Sequence, residues 1–151
     1  MEPPKLKILF LCTHNSARSQ MAEAWLNHLC PHVATAQSAG IEPGALNPLA
    51  VSVMAEAGVD ISRAKTKSVQ DFLRSGESFS RIIAVCSQNE ADRCPMFPGM
   101  GPRLNWTFKD PSKFEGTDEQ KLANMRKTRD DIRAAIENWC SVAAAARAFM
   151  K

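Results

Sequence analysis

The chain has 151 residues, a formal net charge of +3 at pH 7 and 44% hydrophobic residues. This length is enough to bury a substantial core, and we expect a single domain over residues 1–151. The composition argues against nucleic acid binding and against a membrane protein, because no basic block is interleaved with aromatic residues and no apolar segment approaches the roughly 20 residues that span a bilayer.

The N-terminal sequence MEPPKLK lacks the apolar stretch of a signal peptide, so we expect a cytoplasmic protein. An odd number of cysteines in a domain of ordinary core size predicts no static disulfide framework. Some of the cysteines are then free for chemistry in a reducing compartment. The five are Cys12, Cys30, Cys86, Cys94 and Cys140.

The first predicted strand and helix flank an eight-residue loop, residues 12–19. Residues 5–12 contain a continuous apolar run that is too short for a helix, which predicts a buried strand. Apolar residues at three- and four-residue steps then predict a helix over about residues 18–29. A loop that joins a strand to a helix start in this way directs backbone N–H groups toward one point, which favours binding of a tetrahedral oxyanion.

Two side chains of this loop predict covalent chemistry on such an anion. Arg18 can add a bidentate fork to two of the anion's oxygens. The positive end of the helix and the arginine favour the thiolate of Cys12, which is a nucleophile, and Ser16 or Ser19 can donate a hydroxyl to the sulfur. We therefore interpret Cys12 as catalytic rather than as an ordinary core cysteine at a strand end.

The rest of the chain predicts alternating strands and helices. Strands are expected at 33–38, 81–86 and 103–108, and helices begin after Asn47, Ser68 and Thr117, each of which can cap a helix. This alternation predicts an α/β fold with three layers, α/β/α, around a central parallel sheet of about four strands. Ligands bind beyond the carboxyl ends of such strands, so Cys12 and Cys86 are expected at one edge of the sheet.

Three further features concern the remaining cysteines and one aspartate. Cys86 and Cys94 are either a redox pair or two unrelated cysteines, and their spacing is not that of a zinc site, so we predict no metal. Asp110 precedes Pro111, which places its carboxylate on an extended loop next to a strand end. Cys30 and Cys140 lie on or beside predicted helices and are expected to be inert core residues.

The segment CTHNSARSQMAE resembles the low-molecular-weight phosphotyrosine phosphatase superfamily, and most of all its thioredoxin-coupled arsenate reductase branch. The resemblance implies a low-molecular-weight phosphotyrosine phosphatase-like fold, with Cys12 as nucleophile and Asp110 as general acid. It also implies that Cys86 and Cys94 are the second and third catalytic cysteines. His14 stands where many members have glycine, and Ala17 where many have cysteine. The substrate-binding residues would be Thr13, His14, Asn15, Ser16, Ala17, Arg18 and Ser19.

The activity that the resemblance implies is reduction of arsenate to arsenite by a three-cysteine relay. Cys12 attacks arsenic, Cys86 attacks Cys12 and expels arsenite, and Cys94 attacks Cys86 to leave a disulfide that thioredoxin reduces. No bound cofactor is needed, thioredoxin is the external reductant, and a monomer is the default expectation. Some relatives bind potassium through residues like Asn15, Glu23 and Ser38, but Lys67 stands near the expected acidic ligand, so we predict no potassium.

Two alternatives remain. The first is a low-molecular-weight protein tyrosine phosphatase that acts through a cysteinyl-phosphate on Cys12 and needs neither Cys86 nor Cys94. The chain has no tyrosine, and Ser112 stands where such phosphatases often have one, which argues against this alternative. The second is a non-enzymatic redox or oxyanion sensor, for which the sequence offers no DNA-binding or partner module.

Overall fold

The computed structural model describes residues 4–87 and 103–149, and the statements below concern those residues. The strands are β1 (Leu6–Cys12), β2 (Ala34–Gly40), β3 (Arg81–Ala84) and β4 (Arg103–Asn105). The helices are α1 (Arg18–Leu29), α2 (Pro48–Glu56), α3 (Val69–Ser75) and α4 (Asp118–Ala148), and a short 3₁₀ helix covers Pro111–Lys113. None of these helices is both long and apolar enough to cross a membrane.

The strands form one parallel sheet in the order β2-β1-β3-β4, which confirms the predicted sheet of about four strands. The central strand β1 is buried on both faces, as its continuous apolar run predicts, and residues 8–11 are at most 1% exposed. The chain places β2 on one side of β1 and β3 on the other. Such a reversal of strand order opens a crevice at the carboxyl edge of the sheet, next to the end of β1.

Helices cover both faces of the sheet and produce the predicted three layers. On one face, α1, α2 and α4 pack around a large cluster that includes Trp25, Met125, Ile132 and Ile136. On the other face, α3 packs on a smaller cluster around Phe72. The apolar periodicity of α1 and α4 thus matches the faces that these helices bury.

The helix caps agree with the sequence, whereas two strands end early. The Asn47 side chain accepts a hydrogen bond from the backbone of Leu49, and Thr117 and Gln120 form a reciprocal capping box. The strand β3 ends at Ala84 and β4 at Asn105, where the ladder between them stops, so residues 85–86 and 106–108 lie outside the strands.

Cys30 and Cys140 form a disulfide whose Cα atoms are 6.1 Å apart. The prediction of no static disulfide, with two inert core thiols at these positions, is therefore wrong. Cys30 follows the end of α1, and Cys140 lies on the buried stripe of α4, so the packing of α1 on α4 brings the two sulfurs together. They are 110 residues apart, and no local sequence pattern reports such a contact.

Candidate active site

The loop of residues 12–19 joins β1 to α1 at the carboxyl edge of the sheet, and we call it the oxyanion loop. The segment of residues 41–47 runs beside it and donates four backbone hydrogen bonds to its carbonyl groups, over 2.8–3.3 Å. These bonds fix the shape of the loop. The acceptors are the carbonyl oxygens of Cys12, Thr13, His14 and Ser16.

Gly40, the last residue of β2, permits the loop to lie this close. A Cβ atom at this position would come within 2.8 Å of the Thr13 carbonyl oxygen and 2.9 Å of the Asn15 nitrogen. Both are backbone atoms, so a larger residue would displace the oxyanion loop itself. The sequence pattern did not reveal this role of Gly40, which pairs with Cys12 in the register of β1 and β2.

The amino terminus of α1 is open toward the loop. The cap residue, Ala17, makes no side-chain hydrogen bond to the first turn. Because the first amides of a helix lack partners within the helix and carry partial positive charge, an uncapped start can bind an anion. Alanine at this position thus adds no capping side chain to the first turn.

The Cys12 sulfur is buried and receives two hydrogen bonds. The backbone N–H of Asn15 donates to it over 3.2 Å, and the Ser19 hydroxyl oxygen lies 2.9 Å away. Hydrogen bonds from two donors stabilise negative charge on sulfur. Asn15 reaches its position through a positive φ of 53°, a conformation that asparagine tolerates better than most residues.

The direction of the bond between Ser19 and Cys12 follows from its surroundings. The side-chain oxygen of Asn15 accepts from Gln20 Nε2 over 3.0 Å and from the Lys67 backbone N–H over 2.8 Å. The amide nitrogen of Asn15 must then face Ser19, and it donates to the hydroxyl oxygen over 2.7 Å. Since that oxygen already accepts a hydrogen bond from Asn15, the hydroxyl can donate its own hydrogen to the Cys12 sulfur. Gln20 is a second positioning residue that sequence reasoning missed.

Substitution of Ser19 by alanine is expected to slow alkylation of Cys12 by iodoacetamide at neutral pH by roughly three- to tenfold. The expectation follows because the Ser19 hydroxyl donates a hydrogen bond to the Cys12 sulfur, and a hydrogen bond to a charged group contributes more than one between neutral groups. Mass spectrometry of the Cys12 peptide over time measures the rate. Ser141→Ala, on the exposed face of α4, is the matched control, and equal rates in the two variants would contradict the proton direction.

Arg18 and Asp110 meet at the mouth of the loop. The Arg18 side chain is buried, its Nη1 donates to the Phe108 carbonyl over 3.3 Å, and its Nη2 lies 3.9 Å from Asp110 Oδ2. The backbone N–H and the hydroxyl of Ser112 both donate to the other oxygen, Asp110 Oδ1, over 3.0 and 2.8 Å. These contacts leave Oδ2 directed toward the arginine. The structure therefore brings Cys12, Arg18 and Asp110 to one site.

Among the other predicted binding residues, His14 has a defined partner outside the loop. Its Nδ1 donates to the carbonyl of Glu42 over 3.0 Å, so the ring adds a side-chain bond to the backbone ladder beside it. Thr13 and Ala17 are buried within the loop, and Ser16 is half-buried. All seven predicted binding residues lie in the loop or at the start of α1.

Cys86 follows the end of β3, the strand that pairs with β1. Residues Leu11 and Ala84 are paired in parallel register, and the Val85 N–H donates to the Leu11 carbonyl over 2.8 Å. Adjacent strands are about 4.8 Å apart, so Cys86, two residues after Ala84, emerges beside the end of β1. This confirms that Cys12 and Cys86 share one edge of the sheet. Cys94 lies outside the described residues.

A lysine carries positive charge beside the loop. The Lys67 ammonium lies 3.3 Å from Glu23 Oε1, and the Ser38 hydroxyl donates to the same oxygen over 3.1 Å. The backbone of Lys67 also holds Asn15, as described above.

In the part of the chain that the structure describes, no group of three or more His, Cys, Asp or Glu side chains is placed to hold a metal ion.

Comparisons with known proteins agree with this geometry. Residues 7–148 match the family described as low molecular weight phosphotyrosine protein phosphatase. An arsenate reductase of Bacillus licheniformis is 43% identical over 136 residues, which cover 89% of this chain and 95% of that protein. A solved structure of an arsenate reductase in its oxidized state is 25% identical, with a TM-score of 0.75 over 91% of this chain and 98% of the other. A thioredoxin-dependent arsenate reductase of Corynebacterium glutamicum is 28% identical, with a TM-score of 0.61 over 91% of this chain and 64% of that one.

Proposed function

The chain belongs to the low molecular weight phosphotyrosine protein phosphatase family, and within it we infer that the chain is an enzyme that reduces arsenate to arsenite. One observation carries the choice of reduction over phosphate ester hydrolysis. A second cysteine, Cys86, follows the end of the strand that pairs with β1, beside Cys12 at the oxyanion loop. Hydrolysis through Cys12 has no use for that thiol, whereas reduction of arsenic requires two electrons from a pair of thiols.

The first step is binding and attack. The uncapped start of α1 and the Arg18 guanidinium bind the arsenate oxygens, and they stabilise charge that develops as the bond to sulfur forms. The Cys12 thiolate attacks arsenic and one oxygen departs. Asp110 gives that oxygen a proton as general acid, because its Oδ2 faces the site while Ser112 holds Oδ1.

The second step is reduction. The Cys86 thiolate attacks the Cys12 sulfur and forms a disulfide with it. The electron pair of the arsenic–sulfur bond stays with arsenic, which passes from the pentavalent to the trivalent state and leaves as arsenite. Two thiols have then been oxidised and one arsenic reduced by two electrons, so the step balances.

The third step returns the enzyme to its thiol form. Cys94 attacks Cys86, frees Cys12 and carries the disulfide away from the buried loop. Thioredoxin then reduces the disulfide between Cys86 and Cys94. The relative from Corynebacterium glutamicum is thioredoxin-dependent, and its similarity supports the same reductant here. No bound cofactor takes part, because the cysteines themselves carry the electrons.

The test is oxidation of NADPH by the full chain with arsenate, thioredoxin and thioredoxin reductase. We expect turnover that depends on both arsenate and thioredoxin, with one arsenite formed for each NADPH consumed. Omission of thioredoxin is the control and should remove the signal. Absence of turnover, together with steady hydrolysis of p-nitrophenyl phosphate, would overturn the proposal and favour a phosphatase.

A further inference from the structure

The disulfide between Cys30 and Cys140 lies at the opposite edge of the sheet from the oxyanion loop. Cys30 follows the end of α1. The chain then passes beside the start of β1, where the Leu6 N–H donates to the Val33 carbonyl over 3.1 Å. The catalytic thiol, Cys12, is at the other end of this seven-residue strand. At about 3.3 Å per residue, the two ends of β1 are roughly 20 Å apart.

Both sulfurs of this disulfide belong to buried residues. Cys30 is 3% exposed and Cys140 is 9% exposed. Thiol–disulfide exchange requires a thiolate to reach one sulfur along the axis of the bond, so a folded protein reductant has no approach to this pair. The distance and the burial together separate it from the exchange at Cys12.

We propose that the bond between Cys30 and Cys140 is a structural disulfide, which stays oxidised during turnover and fixes the distal half of α4 to the end of α1. The bond forms by exchange with a low-molecular-weight disulfide before the helices close over it. In that exchange the two cysteine thiols lose two electrons and two protons, and the small disulfide takes them up as two thiols.

The distal part of α4 depends on this bond more than the rest of the molecule does. Beyond Cys140, Ala143 is the buried residue of this helix, and Arg147 adds a hydrogen bond to the His32 carbonyl over 2.9 Å. Val142 and Phe149 are 62% and 92% exposed. Reduction of the disulfide should therefore loosen the end of α4 and leave the oxyanion loop unchanged.

The first test maps the disulfides of the wild-type chain. The protein is incubated with reduced thioredoxin, without arsenate, then separated from the reductant, alkylated in denaturant and digested for mass spectrometry. We expect Cys12 and Cys86 to be alkylated and a peptide pair linked through Cys30 and Cys140 to persist. Alkylation of Cys30 and Cys140 to the same extent would overturn the proposal. Since arsenate is absent, the result is independent of the proposed activity.

The second test measures stability and activity in the double variant Cys30→Ser/Cys140→Ser. We expect its Tm without reductant to be about 10 °C below that of the wild type, because a disulfide that closes a loop of this length constrains the unfolded chain strongly. We expect kcat to change by less than about twofold. An equal Tm, or a wild-type Tm that does not fall after the bond is reduced in denaturant and the chain refolded with reductant, would contradict the proposal.

Discussion

Replacement of Cys86 by serine is expected to lower thioredoxin-dependent arsenate turnover by about a thousandfold or more, since Cys86 is the one thiol besides Cys12 among the described residues. The hydroxyl of serine cannot form a disulfide with Cys12, so arsenic stays attached to Cys12 after the first attack. Hydrolysis of p-nitrophenyl phosphate needs only the oxyanion loop and the general acid, and should remain within about threefold of the wild type.

The coupled NADPH assay and the phosphate ester assay, run on the same preparation, measure the two activities. The control is the double variant Cys30→Ser/Cys140→Ser, which removes two sulfurs at the opposite edge of the sheet, leaves no new free thiol and should keep both activities. Full arsenate turnover in Cys86→Ser would show that arsenite leaves without this thiol and would overturn the proposed relay. Equal loss of both activities would indicate a collapsed site instead of a missing electron donor.

The conservative change Arg18→Lys is expected to lower kcat/KM for arsenate by about 10²–10³-fold. The guanidinium uses one nitrogen on the Phe108 carbonyl and directs another toward Asp110, so its plane is fixed in the site. A lysine ammonium keeps the charge but cannot hold that backbone contact and also present a planar fork to two oxygens. The interaction lost is one that strengthens as charge develops on the anion.

Steady-state kinetics with arsenate, and inhibition by inorganic phosphate, separate binding from catalysis in this variant. We expect weaker phosphate inhibition together with a lower kcat. Arg126→Lys is the control, because Arg126 pairs with Glu56 on the surface between α4 and α2. A change of less than tenfold for Arg18→Lys would mean that charge alone, without the fork, accounts for the role of this residue.

The oxyanion loop and the two elements that flank it could be predicted because their sequence signals are local. An apolar run of strand length, a change to helical periodicity and the spacing of Cys12 and Arg18 all lie within about 25 residues. The helix caps at Asn47 and Thr117 were confirmed for the same reason. Parallel pairing then placed Cys86 beside Cys12, since the carboxyl ends of parallel strands meet at one edge.

The rest of the site depends on contacts between distant segments. The need for glycine at position 40 arises from the backbone of the oxyanion loop, and Gln20 matters because it holds Asn15 and the Lys65 carbonyl together. The early end of β4 is set by the length of its partner β3. The disulfide between Cys30 and Cys140 was not predicted, because an odd number of cysteines argued against a disulfide framework. Only the packing of α1 on α4 reveals this bond.

The backbone ladder along the oxyanion loop has a consequence for selectivity among anions. A loop that is already assembled gains no discrimination by closing around its ligand, and phosphate has the same shape and similar charge as arsenate. Phosphate should therefore occupy the loop as a competitor, and at ten times its dissociation constant it would leave about one enzyme molecule in eleven vacant. Selection falls to the chemistry after binding, because phosphorus is not reduced by thiols. Reduction of arsenate below its saturating concentration should then slow as the phosphate concentration rises.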